Sequence, residues 1–409
     1  MKSIKVRNIL FIIFILALAL RLFAVATYQE SGKPLYADAR VYDNLAVNIM
    51  SGHGFTQVVD GPRVPTSNRM PMYPLFLAGV YSVCGHSYLA VRIIQAILGA
   101  LFCVVIFFIT NIIYNDIKSG ILAALMAVFY KPFVSGFLYY GGPASILSEY
   151  FYIFILGVSI LFLLYFLKTE KKVFAVLSGI FVGLTILTRP EFALYPVVLF
   201  LYLVFSCRFN MKVFFRKFFM MYVFIALVLA PWVTRNYLVQ GKFIPLTTVS
   251  GFAFWMGNNS VASGGWAYPQ HYSKVMDEIK NISEYEKNRI YFKQGIEELK
   301  RDKKRIPGLF FKKAIVHWAP FEKGLKVFNP FYAFVLFFGV IGILFFRKHG
   351  IMEDIVLMIF AVTTLTAIII WGDPRYRYPY ESYLIIFAAV AITKIYSMIK
   401  RKVLAYGKG

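Results

Sequence analysis

No charged side chain interrupts residues 98–113, LGALFCVVIFFITNII, or residues 152–167, YIFILGVSILFLLYFL. Helical stretches of about 20 apolar residues can cross the roughly 30 Å hydrocarbon core of a bilayer. Apolar residues make up 59% of the 409-residue chain, whereas soluble domains usually contain about 45–50%. The sequence therefore predicts an all-α polytopic membrane protein and excludes an ordinary water-soluble domain.

The chain is strongly basic, with 44 Lys and Arg against 20 Asp and Glu and a formal net charge of +24. In a soluble protein this excess would suggest a nucleic-acid partner. In a membrane protein it is better explained by Lys and Arg that flank the spans and contact anionic headgroups. We therefore expect the lipid bilayer as a partner and no nucleic acid. The three cysteines and five histidines show neither disulfide nor metal-ligand spacing.

About ten segments have the length and composition of transmembrane helices. They are residues 8–27, 88–114, 120–137, 147–167, 173–187, 192–205, 218–237, 330–346, 351–371 and 381–396. An even number places both termini in the cytosol. The short basic segments at 169–172, 208–217, 347–349 and 400–408 then all lie inside, in agreement with the positive-inside rule. The fifth and sixth segments are short and could form a single hairpin.

The spans divide the chain into three parts. Residues 1–237 form an N-terminal transmembrane module whose first outer loop covers residues 28–87. Residues 238–328 form a long, mainly helical extracytoplasmic loop, and residues 329–409 carry the C-terminal transmembrane helices. Long loops are translocated largely regardless of their charge, so the basic character of the second loop does not contradict this topology.

Both outer loops are expected to contain amphipathic helices that lie on the membrane surface. In the first loop, Asp38 can cap a helix that ends near Gly52, and a second helix follows Pro74. In the long loop, Ser283 and Glu286 fit a capping box at the start of a helix.

Charged residues accompany the spans mainly at one face. They are Asp38, Arg40, Asp43, Arg69, Glu149, Arg189, Glu191, Arg235, Asp373, Arg375 and Arg377. By the predicted topology, all of them lie at outer ends of spans or in outer loops. Each one alone could cap a helix or extend to the headgroups. Together, carboxylates and guanidiniums at the outer face suit a reaction between a lipid-borne phosphate and a partner outside the membrane.

The segment Arg375-Tyr376-Arg377 is the most specific of these features. Two guanidiniums two residues apart in a short loop can both bind one phosphate. Anchoring to headgroups is the alternative for this pair. The basic residues 300–305 are expected to face solvent or headgroups.

Short polar and aromatic segments are distributed along most of the chain. They are Tyr36-Ala37-Asp38, Tyr42-Asp43, Gly52-His53-Gly54-Phe55, Arg69-Met70-Pro71-Met72-Tyr73-Pro74, Arg92, Ser148-Glu149, Thr188-Arg189-Pro190, residues 231–237, Gly257-Asn258-Asn259 and Arg375-Tyr376-Arg377. In this order they resemble the GT-C integral-membrane glycosyltransferases, specifically the branch of protein O-mannosyltransferases and lipid A aminoarabinose transferases. The resemblance implies the GT-C fold and transfer of one sugar from a polyprenyl phosphate, usually undecaprenyl phosphate in bacteria. The acceptor would be an extracytoplasmic glycan, lipid or protein at the bacterial plasma membrane.

The resemblance also implies roles for individual residues. Asp38 matches the catalytic acid/base residue of the first outer loop, and Glu149 matches a second acidic position. The remaining expected pocket residues are Tyr42, Asp43, His53, Tyr73, Arg235, Asn258 and Asn259. The Asp-Glu pair of the family is missing, because Asp38 is followed by Ala39. No metal ligand is therefore assigned, and a role for a divalent cation stays open.

The chemistry of such a transfer fits these residue types. Departure of a phosphate from an anomeric carbon develops positive charge on the sugar and negative charge on the phosphate. Asp38 would deprotonate the acceptor hydroxyl, and one displacement would invert the anomeric centre. The residues expected to bind the donor phosphate are Arg69, Arg189, Arg375, Tyr376 and Arg377.

Two other functions compete with this hypothesis. A lipid-linked glycan transporter or flippase would also be basic, aromatic and polytopic, but it should carry charge or broken helices at mid-membrane. A polymerase or ligase of the O-antigen type would place catalytic Arg or His in a dominant late outer loop. The loop at residues 238–328 keeps this second alternative open, whereas Asp38 in the first loop favours the glycosyltransferase.

Overall fold

The structure is a computed structural model. It describes residues 2–28, 35, 37–58, 61–135, 142–206, 211–322 and 325–406. Several sequence predictions fall wholly or partly outside these residues, namely those on Tyr36, on the last residues of the predicted span at 120–137, on the cysteine at position 207 and on parts of the basic segments at 208–217 and 400–408.

Helices dominate the described residues. In chain order they are α1 (Lys2–Ala26), α2 (Ala37–Met50), α3 (Met72–Cys84), α4 (Tyr88–Tyr114), α5 (Ile117–Phe129), α6 (Lys131–Ser135), α7 (Ser148–Thr169), α8 (Lys172–Thr188), α9 (Leu194–Ser206), α10 (Met211–Gln240), α11 (Ser250–Gly257), α12 (Tyr272–Glu278), α13 (Glu284–Arg301), α14 (Ile306–Trp318), α15 (Pro330–Phe345), α16 (Ile351–Ile369), α17 (Pro374–Arg377) and α18 (Glu381–Tyr406). Short 3₁₀ turns cover Pro190–Ala193, Lys303–Arg305 and Tyr378–Tyr380.

Two small antiparallel hairpins lie in the loops between the membrane helices. The first pairs β1 (Thr56–Val58) with β2 (Arg63–Pro65), and the second pairs β3 (Phe321–Glu322) with β4 (Val327–Phe328). Each hairpin belongs to one of the two predicted outer loops, so both loops have folded structure.

Among the described residues, 6 helices are long and apolar enough to cross a membrane. They contain the segments Ile4–Ala26, Tyr88–Tyr114, Ser148–Thr169, Phe218–Gln240, Ile351–Ile369 and Pro374–Leu404. Shorter apolar helices include α5, α8 and α15. The predicted class of helical, multi-pass membrane protein is confirmed. A helix also occupies the position of every predicted span, and α8 and α9 are separate helices. The number of membrane crossings remains a prediction.

The helix starts in the outer loops agree in part with the sequence. The predicted amphipathic helix of the first loop is α2, but Asp38 lies inside its first turn and does not cap it. In the long loop, Ser283 is the N-cap of α13, and its Oγ accepts a hydrogen bond of 3.2 Å from the backbone of Glu286. Asp38 is left free to form contacts with other parts of the chain.

Glycines allow the apolar helices to pack closely. A Cβ on Gly157 of α7 would lie 2.6 Å from the ring of Phe102 in α4. A Cβ on Gly342 of α15 would lie 2.2 Å from the carbonyl oxygen of Phe387 in α18. Small residues are typical of helix interfaces in membranes, where dispersion contacts replace the hydrophobic effect. The C-terminal bundle therefore depends on backbone contact between α15 and α18.

Replacement of Gly342 by Ala should destabilise this contact. The added methyl group meets a backbone oxygen, and overpacking of a tight core typically costs about 1–3 kcal/mol. We expect a lower midpoint of thermal unfolding for the purified protein in detergent. The matched control is Gly79→Ala in α3, where a Cβ would meet nothing within 4 Å. Alanine is the better helix former by up to about 1 kcal/mol, so an equal loss in both variants would contradict this account.

Candidate active site

Asp38 lies between two arginines that are distant in the sequence. Its Oδ1 is 3.1 Å from Nη2 of Arg69, and its Oδ2 is 2.8 Å from Nη1 of Arg375. Arg69 follows the first hairpin, whereas Arg375 lies on α17 just before the last membrane helix. The fold therefore joins the first outer loop to the C-terminal part of the chain through one carboxylate.

The contacts continue inward from Asp38. Arg375 also donates through Nε to Oε1 of Glu149, the second residue of α7. Nη1 of Arg189 lies 3.3 Å from the same oxygen of Glu149. Nε of Arg189 is 2.5 Å from Glu191. Arg69, Asp38, Arg375, Glu149, Arg189 and Glu191 thus form one continuous series of contacts, called here the ion-pair chain.

The ion-pair chain is electrically balanced and open at one end. Its three guanidiniums and three carboxylates alternate in sign. The side chains of Asp38, Arg69 and Arg375 are 31%, 21% and 24% exposed, whereas those of Glu149 and Arg189 are 1% and 8% exposed. An anionic ligand could therefore reach Arg69 and Arg375 from outside, while Glu149 and Arg189 form the buried floor.

Aromatic side chains frame the buried floor. The guanidinium of Arg189 lies 5.0 Å from the ring centroid of Tyr376 and 5.6 Å from that of Tyr152. Such cation–π contacts are strongest where water is excluded. Asp373 caps α17 by accepting a 2.8 Å hydrogen bond from the backbone nitrogen of Arg375. Tyr376 therefore lies at the predicted site, although it contacts Arg189 through its ring.

The position of Arg69 depends on two residues of other segments. Oε1 and Oε2 of Glu284 accept hydrogen bonds of 2.6 and 2.9 Å from the hydroxyl of Thr66 and the backbone of Ser67. Nη1 of Arg235 donates to the carbonyl of Thr66 at 2.6 Å. The sequence does not indicate this role for Glu284, which directly follows the capping residue Ser283 in the first turn of α13. Arg235 holds the same segment from α10, so it positions Arg69 and does not contact Asp38.

The arginine contacts set the protonation of Asp38. Partial burial pushes the pKa of this carboxyl upward, but the positive charges of Arg375 and Arg69 outweigh it, and the pKa falls below its ordinary value. Tyr42 lies one helical turn further along α2. Burial raises the pKa of its hydroxyl, and the negative charge of Asp38 adds to the effect. Asp38 is consequently ionised at neutral pH, and Tyr42 is protonated.

Arg377 does not join Arg375 at the site, so the sequence prediction of two guanidiniums on one phosphate is wrong in its geometry. The side chain of Arg377 is fully buried. It contacts Glu381 at 2.7 Å and Glu322 at 2.9 Å and donates to the carbonyl of His317 at 2.9 Å. Arg375 and Arg377 lie on the single short turn of α17, and their side chains bind different carboxylates. Arg377 instead ties the long loop to α18.

Asp43, His53 and Tyr73 form other contacts. Asp43 accepts hydrogen bonds from the hydroxyls of Tyr81 at 2.8 Å and Tyr88 at 3.0 Å and also contacts His86. The hydroxyl of Tyr73 donates to Gln95 at 3.0 Å, and its ring lies 5.2 Å from that of Tyr42. His53 contacts Arg63 at 2.8 Å in an exposed loop. Asp43 therefore joins α2 to α3 and α4, and Tyr73 is the one of the three that packs beside the site through Tyr42.

The two asparagines stabilise the turn after α11. The side chain of Asn258 donates to the carbonyl of Ile369 at 2.8 Å and accepts from the ammonium of Lys313 at 2.7 Å. The side chain of Asn259 donates to the carbonyl of Ala267 at 2.6 Å and accepts from two backbone nitrogens of its own turn. Their polar atoms are used within the fold, so the structure does not place them in the pocket beside Asp38.

The site does not resemble a metal centre in the part of the chain that the structure describes. No group of three or more His, Cys, Asp or Glu is placed to hold a metal ion there. Asp38 and Glu149 both contact Arg375, whose positive charge lies between the two carboxylates. These residues do not fit a divalent cation, because the guanidinium occupies the position that the cation would need.

Comparisons with known proteins give one family match. Residues 64–234 match the family model described as dolichyl-phosphate-mannose-protein mannosyltransferase. The comparison with curated proteins gives no significant match. The matched segment contains Arg69, Glu149, Arg189 and Glu191, which are four of the six members of the ion-pair chain.

Oligosaccharyltransferase structures share the fold of this chain at low sequence identity. The apo oligosaccharyltransferase of Archaeoglobus fulgidus has a TM-score of 0.58 and 14% identity, over 99% of this chain and 52% of that chain. The archaeal oligosaccharyltransferase AglB, also from Archaeoglobus fulgidus and in complex with an inhibitory peptide and a dolichol-phosphate, gives 0.57 and 12%, over 100% and 52%. ArnT from Cupriavidus metallidurans, bound to undecaprenyl phosphate, gives 0.44 and 10%, over 95% and 77%. This chain spans about half the length of the two oligosaccharyltransferase chains.

Removal of the central buried charge should destabilise the site. In Glu149→Gln, Arg375 and Arg189 lose a shared carboxylate, and breaking a buried ion pair typically costs about 3–5 kcal/mol. We expect a clearly lower midpoint of thermal unfolding in detergent. The control is Glu297→Gln, which removes an exposed contact of 3.9 Å to Lys293 and should cost at most about 1 kcal/mol. Indistinguishable midpoints for the two variants would show that Glu149 does not stabilise the protein by balancing the charges of Arg375 and Arg189.

Proposed function

The chain has the GT-C fold and carries a segment that matches a protein mannosyltransferase model, and from this premise we propose that it is a membrane glycosyltransferase. It moves a single sugar from a polyprenyl phosphate, of the undecaprenyl type in a bacterial plasma membrane, to an extracytoplasmic acceptor. The name of the matching family includes dolichyl-phosphate mannose, and one similar structure contains a dolichol-phosphate. Both support a polyprenyl-phosphate donor.

One observation carries this proposal: a partly exposed carboxylate held between two partly exposed guanidiniums. A reaction that releases a phosphate from an anomeric carbon needs positive charge beside the phosphate and a base beside the acceptor hydroxyl. Arg69 and Arg375 provide the positive charge. Asp38 provides the base, and its carboxylate oxygens lie within 3.1 Å of a guanidinium nitrogen of each arginine. The two functions are therefore available in one small volume.

The transfer then proceeds by a single displacement. Asp38 accepts the proton of the acceptor hydroxyl as its oxygen forms a bond to the anomeric carbon. The bond from this carbon to the phosphate oxygen breaks, and its electron pair remains on the phosphate, where Arg69 and Arg375 stabilise the charge. Attack from the face opposite to the leaving group inverts the anomeric configuration. General base catalysis of this kind typically contributes about 10²–10⁴-fold.

Glu149 has a different task in this proposal. Its side chain is buried and contacts Arg375 and Arg189, so it orients the guanidiniums and does not contact the acceptor. Glu149 is thus a positioning residue, although the sequence predicts a catalytic one. Arg189 contributes to the positive potential of the buried floor.

The alternatives drawn from the sequence gain no support from the described residues. A transporter would be expected to expose charge at mid-membrane, but Arg21, a charged residue in the C-terminal half of α1, is fully buried and hydrogen-bonded to Tyr150 at 2.7 Å. A polymerase-like site on the long loop would need Arg or His gathered in a cavity, whereas Arg305 is used within the fold, donating to the carbonyl of Asn259 at 3.0 Å, and Arg289 and Arg301 lie exposed on α13. We therefore retain the glycosyltransferase.

Asp38→Asn should abolish transfer and leave donor binding in place. The amide cannot accept the acceptor proton, while Arg69 and Arg375 stay available for the phosphate. We expect a loss of at least about 10²-fold in kcat, measured as label moved from a radiolabelled polyprenyl-phosphate sugar to membrane-extract acceptors. Donor binding is measured separately with the unlabelled polyprenyl phosphate. The control is Asp277→Asn, which changes an exposed carboxylate of α12. Retained transfer in Asp38→Asn would remove this residue from the mechanism.

Arg69→Gln should shift the pH dependence of transfer. The base works as a carboxylate, so kcat/KM falls as the pH drops through the pKa of Asp38 in the free enzyme. Arg69 helps to keep that pKa low, and its removal should move the acidic limb of the profile to higher pH. Arg63→Gln serves as the control, since Arg63 is exposed and contacts His53. An acidic limb that stays at the same pH in Arg69→Gln would contradict the assignment of Asp38 as the base.

A further inference from the structure

The long loop carries aromatic side chains at its surface. Trp266 is 46% exposed and Tyr268 is 52% exposed, and their ring centroids are 4.7 Å apart. Tyr268 in turn lies 4.6 Å from the ring of Tyr272. Below them, Trp255 is fully buried and stacks on Tyr291 at 5.8 Å. A buried aromatic layer therefore supports two large rings that face the outside.

A basic cavity lies close to these rings in the sequence, because part of its wall, residues 261–263, comes just before Trp266. Its volume is about 250 Å³, and its lining residues are Val261, Ala262, Ser263, Lys304, Arg305, Gly308, Leu309 and Lys312. Lys304 and Lys312 are exposed. Arg305 binds the carbonyls of Asn259 and Ala262, so it fixes the wall of the cavity, whereas neither lysine forms an ion pair within the described residues. Positive charge and an apolar wall occur together at this surface.

The surface is connected directly to the proposed active site. The backbone nitrogen of Gly372 donates to the carbonyl of Gly264 at 2.8 Å, which places the segment before Trp266 on the segment before Arg375. The adjacent Trp371 lies 5.7 Å from the ring of Tyr376. The segment that leads to Trp266 therefore packs against the loop that leads to Arg375.

Glycines allow this close approach of the two segments. A Cβ on Gly372 would lie 2.1 Å from the carbonyl oxygen of Lys313, and a Cβ on Gly264 would lie 3.1 Å from that of Lys312. The backbone of α14, which carries Lys312, is thus packed against both the aromatic loop and the loop before Arg375. The lysines, the exposed rings and the active site belong to one connected unit.

We propose that Trp266, Tyr268, Lys304 and Lys312 form an acceptor surface that binds an anionic glycan. This inference rests on the proposed glycosyltransferase function and names the class of its acceptor. Aromatic faces pack against the apolar faces of sugar rings, as large rigid rings do at other binding surfaces. The two ammonium groups pair with phosphate or carboxylate groups of the glycan. Residues 240–328 contain 15 Lys and Arg against 8 Asp and Glu, so the whole loop attracts a polyanion.

The test measures glycan binding separately from transfer. The protein is placed in nanodiscs of zwitterionic lipid, and the probe is a dextran sulfate oligosaccharide, with neutral dextran of the same length for comparison. We expect Lys304→Glu combined with Lys312→Glu to weaken binding of the sulfated probe by about tenfold or more, equivalent to about 1.4 kcal/mol. Trp266→Ala should weaken binding of both probes. Unchanged affinity in these variants would overturn the proposal.

A matched double variant distinguishes binding of the probe at this surface from general attraction of a polyanion to the basic loop. Lys293→Glu combined with Lys300→Glu reverses the same number of charges on α13, at a different depression of the same loop. We expect less than a twofold change there, whereas an equal loss in both double variants would show that only the overall charge matters and would overturn the surface. Thermal unfolding is recorded for each variant, and the affinity of a variant is compared only when its midpoint equals that of the wild type.

Two further measurements complete the design. Replacement of the zwitterionic lipid by anionic lipid tests whether lipid headgroups, rather than a glycan, occupy the acceptor surface. Loss of probe binding by the wild type in these discs would overturn the glycan assignment. Binding of polyprenyl phosphate should be unchanged in all these variants. If the wild type neither binds this donor nor transfers sugar, the proposed function fails, while the difference between the two double variants still decides the proposal about the surface.

Discussion

Charge balance in a low-dielectric environment governs the arrangement of this protein. An ionised side chain that leaves water must find counter-charges or several hydrogen-bond partners. In the ion-pair chain, Arg375 satisfies this rule by contacting both Asp38 and Glu149. The two acids belong to α2 and α7, and Arg375 belongs to α17. The pairing therefore brings three distant parts of the chain to one point, and the same pairing creates the site.

The same constraint explains charged residues that do not belong to the site. Arg21 in α1 binds the hydroxyl of Tyr150 and the carbonyl oxygens of Ala17 and Ala127 at 2.7–3.2 Å, so it fixes α1 against α5 and α7. Lys313 has no carboxylate partner in the described residues and donates to Asn258 and to carbonyls at the end of α16. Its burial, with a smaller contribution from nearby positive charge, lowers the pKa of this lysine to about 7. Such groups hold the scaffold on which the site depends.

The sequence is sufficient for the helices but not for all side-chain partners. Apolar length alone predicts helices at all ten positions, and the capping pattern at Ser283 predicts the start of α13. The meeting of Asp38 with Arg69 and Arg375 was also expected from their shared outer face. The sequence does not predict the partners of Arg377, because spacing in a loop does not determine which way two neighbouring side chains point. Glu284 was missed for a related reason, since its contacts are with Thr66 and Ser67, more than 200 residues away.

The low pKa of Asp38 raises a chemical question, because a carboxylate paired with two guanidiniums is a weak base. In the mechanism proposed for this protein, the question is resolved because the donor phosphate competes for Arg69 and Arg375. Two oxygens of one phosphate can replace the two oxygens of Asp38 as partners. The carboxylate then loses the charges that lower its pKa, and its basicity rises once the leaving group is in place. The proposed mechanism thereby links donor binding and activation of the acceptor through the same two arginines, so that the base becomes effective only when the donor is present.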